Sequence, residues 1–526
     1  MLKRKLPIGG VQTFSELRKE YDVYVDKTRH IYNMASRYKV VFLARPRRFG
    51  KSLLCSTITS LFRNEKQYFE GLAICETDWK WQVHPVIQID LSGEDFTKEI
   101  NNNGVTALIK AINDQLDIAC NNYGVSAEKS DFIGLRTSQI LAELSRKLSN
   151  AVVVIDEYDN PLLSTVNKPE LNQEIRETLK GFFEALTKSD QYLRFTFITG
   201  VTKFSQISLF SGANQPRDIS TDPDYCDICG ITQADLEKFF DYEISGFAEK
   251  YGGKENYIQE LKGYYNGYCF TENKVSVYNP YGILNHFDNN AKFTPYWSLS
   301  GAPSFVLKYL EMKGVNFVEI ESAEMQAGKF ANYKDDSISI FPLLYQAGYL
   351  TISDYDEKTQ AYKLIYPNID VRKSFAEFLA DNYSKEQSVF ANSVSIRLVK
   401  SLLEGKIGEF MDLLKRYLQK VDYSLSSKIT EYYFEFAVSN IINMLGLVCV
   451  NEVHTANGRM DSVIFAGDYI YVLEFKTDKP VEDALWQIED KDYAAIYADS
   501  GKKLVKIGVV FSREQRNIVE WKAGGE

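Results

Sequence analysis

Two groups of residues in this chain have the types and spacing to do chemistry. The first closes the stretch "FLARPRRFGKSLL" (42–54) with Gly50-Lys51-Ser52. A loop of this kind, running into a helix, surrounds phosphate oxygens with backbone N–H groups and a helix N-terminus. Lys51 would reach the β- and γ-phosphates of ATP, and the Ser52 hydroxyl would bind Mg²⁺. The nucleotide-contacting set expected here is Arg45, Arg47, Arg48, Phe49, Gly50, Lys51, Ser52 and Leu53. The usual pattern, G-x-x-x-x-G-K-[ST], begins with a glycine that permits a tight turn, and Arg45 stands in its place. Pro46 can set the turn differently. Arg45, Arg47 and Arg48 are expected to add positive charge beside the phosphates, one of them as a sensor of the γ-phosphate. Downstream, "VVVIDE" leads four apolar residues into Asp156-Glu157. Asp156 at a strand end can hold Mg²⁺ through water, and Glu157 can orient or deprotonate an attacking water. The strand carrying this pair is expected to neighbour the strand before Gly-Lys-Ser. Thr199, ending "TFITG", falls where a polar residue between the water and the γ-phosphate is expected. The plainer alternatives are acids that cap a strand and a threonine chosen for strand propensity.

The second group lies near the C-terminus. "NGRMD" places Asp461 at the start of a strand, and "YVLEFK" places Glu474, Phe475 and Lys476 at the end of the next. Strand alternation puts Glu474 and Lys476 on one face. A hairpin would bring Asp461 beside them. Two carboxylates and the Phe475 carbonyl make an all-oxygen site suited to Mg²⁺ or Mn²⁺. A metal there lowers the pKa of bound water and neutralises charge on a scissile phosphate. Lys476 could position the nucleophile, Glu431 on the preceding helix could join the metal shell, and Gln487 on the following helix could support Lys476 or the metal water. Exposed strand-end charges are the plainer alternative.

The elements that must position these residues follow from periodicity. "KVVFLA" (39–44), "PVIQIDLS" (85–92), "AVVVIDEYDNP" (151–161) and "LRFTFITG" (193–200) read as buried strands, with helical patterns at 51–62, about 96–120, 137–148 and 168–190. Strands alternating with helices imply a mainly parallel sheet covered on both faces. Near 230 the character changes to helices and aromatic loops, and Thr232 and Asp235 have capping-box spacing. Residues 341–375 read as helix, strand, turn, strand, helix, the order of a winged-helix module. "YSLSSK" (423–428) reads as a linker. A second α/β pattern follows: a helix, strands near 447–453, 460–466 and 469–476, a helix over 481–497, and a strand at 504–511. The expected fold class is α/β: a P-loop NTPase domain with a parallel sheet (1–230), a helical lid and winged-helix-like region (231–425), and a restriction-endonuclease-like α/β domain (426–526).

Composition sets bounds. With 526 residues, 45% hydrophobic and 25% charged, the chain has the make-up of an ordinary multidomain globular protein. A net charge of -10 gives no general basic field for coating nucleic acid, though a local basic groove is compatible with it. No signal sequence or bilayer-spanning apolar run is read, so the expectation is no membrane partner and a cytoplasmic location. Seven scattered cysteines fit a reducing compartment. Cys226 and Cys229 form one CxxC without a second pair or a nearby histidine, so zinc is disfavoured against two loop cysteines.

Taken in order, "LPIGGVQTF", "YVDKTRHIY", "RPRRFGKSLL", "VVVIDEYD", "FITGVTKFS", "GYYNGY", "YNPY", "GYLTI", "GRMD", "LEFK" and "ALWQI" resemble a bacterial family that joins an AAA-like ATPase domain to a C-terminal PD-(D/E)xK nuclease domain. The resemblance covers nearly the whole chain. It implies that Arg45 is a family trait, since related ATPases often read Pro-Arg-Arg-x-Gly-Lys. It implies nucleotide and Mg²⁺ roles for Lys51, Ser52 and Asp156, a catalytic role for Glu157, and a nuclease triad of Asp461, Glu474 and Lys476 with Glu431 and Gln487 as auxiliaries. Glu435 departs from the family, where histidine is common. DNA is the implied nuclease substrate, and defence or mobile-element biology is the implied setting. Oligomerisation is compatible with it, with no residue assignable as an arginine finger.

Two functions compete: an ATP-regulated, metal-dependent DNA nuclease, and a nucleotide-gated switch that binds DNA or a protein partner without cutting. Carbohydrate binding rests only on the aromatic richness of 263–301, which packing explains as well.

Overall fold

The computed structural model describes residues 4–203, 216–299, 306, 324–326, 341–375, 397–418, 438, 448–455, 458–495, 497 and 501–524. The linker expected at 423–428 lies outside them, as do Glu431 and Glu435. The chain forms two compact units. One comprises 1–296, 303–315 and 323–368. The other comprises 297–302, 316–322 and 369–526.

The first unit is built on a parallel sheet of β1 (Val40–Ala44), β2 (Val86–Asp90), β3 (Ala151–Asp156), β4 (Leu193–Gly200) and β5 (Arg217–Asp218), in the order β2-β3-β4-β1-β5. Every residue of β3 is buried, as a strand flanked on both edges and covered on both faces requires. Helices α1 (Lys51–Phe62), α2 (Glu94–Tyr123), α3 (Ile133–Lys147) and α4 (Pro169–Lys188) accompany the sheet. Ile112, Leu116, Ile140, Leu144, Leu179 and Phe183 pack against Val153 and Ile155 in one core. Each such side chain, fully buried, contributes about 1.5–3 kcal/mol. The strand carrying Asp156 is not beside β1, contrary to the expectation from sequence. β4 pairs with β1 on one edge and β3 on the other. Thr199 therefore stands between the phosphate loop and the acidic pair.

After the sheet come β6 (Ile231–Thr232) and α5 (Gln233–Phe239). Thr232 and Asp235 form the anticipated capping box, each side chain bonding the other's backbone N–H. β7 (Tyr268–Cys269) and β8 (Ser276–Tyr278) complete a small sheet with β6. A third sheet joins β9 (Glu324–Gln326) to the hairpin of β10 (Thr351–Asp356) and β11 (Ala361–Ile365), which follows α6 (Phe341–Ala347). Helix, strand, turn and strand thus appear where a winged-helix order is expected, and helix resumes at 369–375.

The second unit contains α7 (Ile407–Leu418) and a five-stranded mixed sheet of β12 (Val448–Thr455), β13 (Gly458–Ala466), β14 (Tyr469–Thr477), β15 (Lys503–Ser512) and β16 (Asn517–Gly524), in sequential order. β12, β13 and β14 are antiparallel neighbours. β14 and β15 are parallel, with α8 (Val481–Asp490) in their crossover. Along β14, Tyr471, Leu473 and Phe475 pack with Phe410 and Leu414 of α7. Ile470 and Val472 pack with Ile488 of α8. The alternation that sorts these residues sends Glu474 to the α8 face.

Candidate functional site

The phosphate loop departs from β1 at Arg45. Gly50, at φ +90°, caps α1, and a Cβ there would meet nothing within 4 Å. Glycine is needed at this position for its backbone angle rather than for room. Lys51 is buried, and its Nζ donates to the carbonyl oxygens of Arg45 and Pro46, both at 3.0 Å. Ser52 and Leu53, on the first turn of α1, are half-buried.

The arginines do not form one cationic cluster. Arg45 is 1% exposed. Its Nη1 donates to the carbonyls of Ala44 (2.9 Å) and Ser220 (2.7 Å), and its Nη2 to that of Tyr225 (3.1 Å). Its guanidinium carbon lies 4.2 Å from the centroid of the Phe270 ring. Burial pulls its pKa below the usual arginine range. The expectation that the Arg45 side chain lies beside the phosphates is corrected: it clamps Phe270, just past β7, and the Ser220–Tyr225 turn to the loop. Phe49 needs a similar correction. Its ring is buried against Tyr268 (centroids 4.8 Å apart) and Phe270 (5.5 Å), so its side chain is a packing group. Arg47 is half-buried with an unpartnered Nε. Arg48, at φ +67°, is exposed and lies over Tyr281 at 4.9 Å. Neither is fully buried as Arg45 is.

At the ends of β3 and β4, Asp156 Oδ1 accepts hydrogen bonds from Thr199 Oγ1 and from the Glu157 backbone N–H (3.0 Å). Glu157 adopts φ +49°, a left-handed backbone uncommon outside glycine. Burial, the largest influence, raises its carboxyl pKa, while Lys51 and Arg47 oppose the rise. The acidic pair and the loop lysine therefore share one electrostatic site. Sequence reasoning missed Tyr158 and Asp159, which follow directly. Both are buried and both bond the chain just beyond Thr199. The only signal was their presence in "VVVIDEYD", beyond the reach of strand periodicity.

The second site is formed by the β13–β14 hairpin. Its register pairs Ser462 with Leu473, and one further step sets Asp461 opposite Glu474. Asp461 Oδ2 accepts the Phe475 backbone N–H at 2.8 Å. Lys476 Nζ donates to Glu474 Oε1 (2.8 Å) and to the Phe475 carbonyl (3.0 Å). Glu474 is 1% exposed, and its Oε2 is buried without a hydrogen-bond partner. Burial first, then the charge of Asp461, pushes its pKa up to about 7, and Lys476 works against both. An unpartnered buried carboxylate oxygen beside a second carboxylate and a carbonyl is the donor set a hard divalent cation takes. Among the described residues no cluster of three His, Cys, Asp or Glu side chains is found, and the described oxygens here are those of Asp461, Glu474 and Phe475. Gln487 is half-buried on α8, and its Nε2 lies 3.5 Å from the Tyr493 hydroxyl. Cys226 and Cys229 are free cysteines in the loop after β5, as the plainer reading expects, and both are buried.

A parallel sheet with a phosphate loop on β1, acids on β3 and a polar strand end between them defines an ATPase core. A β-hairpin bearing Asp and Glu-x-Lys defines a nuclease-type site. The family models agree. Residues 7–210 match the one described as "Predicted AAA-ATPase", and residues 429–521 match the PD-(D/E)XK nuclease superfamily. The chain belongs to the family of proteins that join these two domains. It is 33% identical to the "Uncharacterized protein in vnfD 5'region" of Azotobacter chroococcum mcd 1, over 99% of this chain and 98% of that one. Among solved structures, the Aeropyrum pernix ORC2 protein in its ADPNP–ADP complexes aligns with 70% of this chain and 92% of its own, at 12% identity and a TM-score of 0.18. No helix among the described residues is long and apolar enough to cross a membrane.

Proposed function

We propose that this protein binds and hydrolyses ATP, and that its nucleotide state governs a metal-dependent nuclease acting on DNA. Lys51 and the loop N–H groups hold the phosphates, Ser52 and Asp156 hold Mg²⁺, Glu157 orients the attacking water, and Thr199 stands between that water and the γ-phosphate. At the nuclease site Asp461, Glu474 and the Phe475 carbonyl hold Mg²⁺ or Mn²⁺, which supplies an activated water and charge neutralisation at the scissile phosphate. Lys476 positions the nucleophile, with Gln487 and Glu431 as supporting groups. The observation that carries this reading is the hairpin geometry, which sets Asp461 against the Phe475 amide and leaves Glu474 Oε2 buried without a partner. The domain scheme of an ATPase (1–230), a lid and winged-helix-like region (231–425) and a nuclease (426–526), a cytoplasmic location, self-association, and a role in defence or mobile-element biology belong to the same proposal.

One observation favours a second reading, a nucleotide-gated switch that binds DNA or a protein without cutting. Lys476 already sits on two of the oxygen groups that a metal would use. A cleavage assay on linear, nicked and supercoiled DNA separates the two, crossed with ATP, ADP, Mg²⁺ and Mn²⁺ and run with Lys51→Ala and Glu474→Ala. Cutting that Glu474→Ala abolishes and Lys51→Ala deregulates supports the nuclease. Intact DNA under every condition, with slow ATP turnover and tight nucleotide retention, supports the switch.

A further inference from the structure

Asp159, in the turn after β3, is a fully buried carboxylate for which the readings above provide no task. Its Oδ1 accepts the Val201 N–H at 3.1 Å. Its Oδ2 accepts the Thr202 N–H and the Thr202 hydroxyl, both at 2.6 Å. Tyr158 reinforces the grip from the same turn: its N–H donates to the Thr199 carbonyl (3.0 Å) and its hydroxyl to the Thr202 carbonyl (2.9 Å). The approach leaves no room for a side chain between them. A Cβ on Gly200 would stand 2.5 Å from Asp159 Oδ1 and 2.6 Å from the Tyr158 ring.

The gripped segment begins at Val201, two residues after Thr199, whose hydroxyl bonds Asp156. It continues to Lys203, whose N–H donates to Gln346 Oε1 on α6 (3.0 Å) and whose Nζ pairs with Asp218 on β5 (2.7 Å). Burying a carboxylate is costly unless hydrogen bonds satisfy it. Here they all come from one dipeptide, so the charge is spent on fixing a single short segment.

We propose that Asp159 is a positioning residue for ATP hydrolysis: by gripping Val201 and Thr202 it fixes Thr199 against Asp156 and ties that arrangement to Gln346 of α6. It acts through Thr199 and touches no nucleotide itself. The inference rests on the ATPase reading given above.

The test measures ATP affinity and steady-state ATP turnover for the full-length protein and for Asp159→Asn, Thr202→Ala and Thr202→Ser, with Lys51→Ala as the nucleotide-site control. Thermal unfolding is followed in each. Asp159→Asn keeps the shape but turns an amide NH₂ toward a donor. The expected result is a kcat at least tenfold lower for Asp159→Asn and several-fold lower for Thr202→Ala, with ATP affinity within threefold of the parent. Thr202→Ser, which keeps the hydroxyl donor, restores turnover. A purely structural residue would instead reduce kcat and binding capacity together, in step with the folded fraction. Unchanged kcat in Asp159→Asn and Thr202→Ala overturns the inference, as does an equal loss in Thr202→Ala and Thr202→Ser. If the parent turns over ATP no faster than Lys51→Ala, the ATPase reading itself has failed, an outcome separate from these.

Discussion

The guanidinium carbon of Arg45 lies 4.2 Å from the centroid of the Phe270 ring and so joins the phosphate loop to a residue more than two hundred positions downstream, just past the end of β7. The residue replacing the first glycine of the motif is therefore a fastener. Removing it in Arg45→Gly leaves the carbonyls of Ser220 and Tyr225 without their donor in a buried site. At about 1–3 kcal/mol for each unsatisfied buried group, the first unit should lose about 3 kcal/mol. The check is thermal unfolding, paired with ATP titration. Stability should drop while ATP affinity at low temperature changes far less than in Lys51→Ala. The opposite pattern would show that Arg45 serves the nucleotide directly.

Lys51→Ala removes a buried ammonium that faces two loop carbonyls and lies close to Glu157. ATP affinity should fall at least tenfold, and the Glu157 carboxyl, losing the charge that most opposes its rise, should rise further in pKa. Calorimetric titration of ATP across pH 5–8 reads both effects.

Gly200→Ala places a methyl carbon inside the contact distance of Asp159 and Tyr158. Neither neighbour is the loose end of a long side chain. The substitution should cost about 2 kcal/mol or more through overpacking. Denaturant unfolding would detect this, and a neutral result would mean that the β3 turn and the β4 end can separate.

The raised pKa of Glu474, about 7 against an ordinary value of 4.5, gives a pH dependence of definite sign. Below pH 7 the folded chain holds a proton that a cation must displace. Mn²⁺ or Mg²⁺ affinity should therefore rise with pH through 7, by up to tenfold per pH unit on the acid side. In chelator the same shift contributes stability that is fully present below pH 4.5 and is lost as pH climbs through 7. The second unit should then unfold more readily at pH 8 than at pH 5, and divalent metal should reverse this. Metal binding that is flat with pH, or unaffected by Glu474→Gln, would contradict it.

How much of this was legible in the sequence depended on the range of the interaction. The hairpin of β13 and β14 is local: a short turn fixes the register, so the meeting of Asp461 with Glu474 and Lys476 follows from spacing alone. The capping box of Thr232 and Asp235 is local too. The place of β4 between β1 and β3 was not legible, because parallel neighbours are chosen by pairing across long crossovers. β5, only Arg217-Asp218, is too short and polar to show a period. The direction of the Arg45 side chain depends on Phe270, Ser220 and Tyr225, which no motif around residue 45 encodes. β16 carries Ile518 and Trp521 on the sheet, but follows the last strand that periodicity picked out.

The parallel pairing of β14 with β15 also sets an order of manufacture. The strand carrying Glu474 and Lys476 waits for a neighbour at 503–512, whereas the ATPase sheet has its last strand by residue 218. A chain made from its N-terminus and folding domain by domain can complete its nucleotide-binding core while the cutting edge is still in pieces. The proposed controller can thus be ready before there is anything to control.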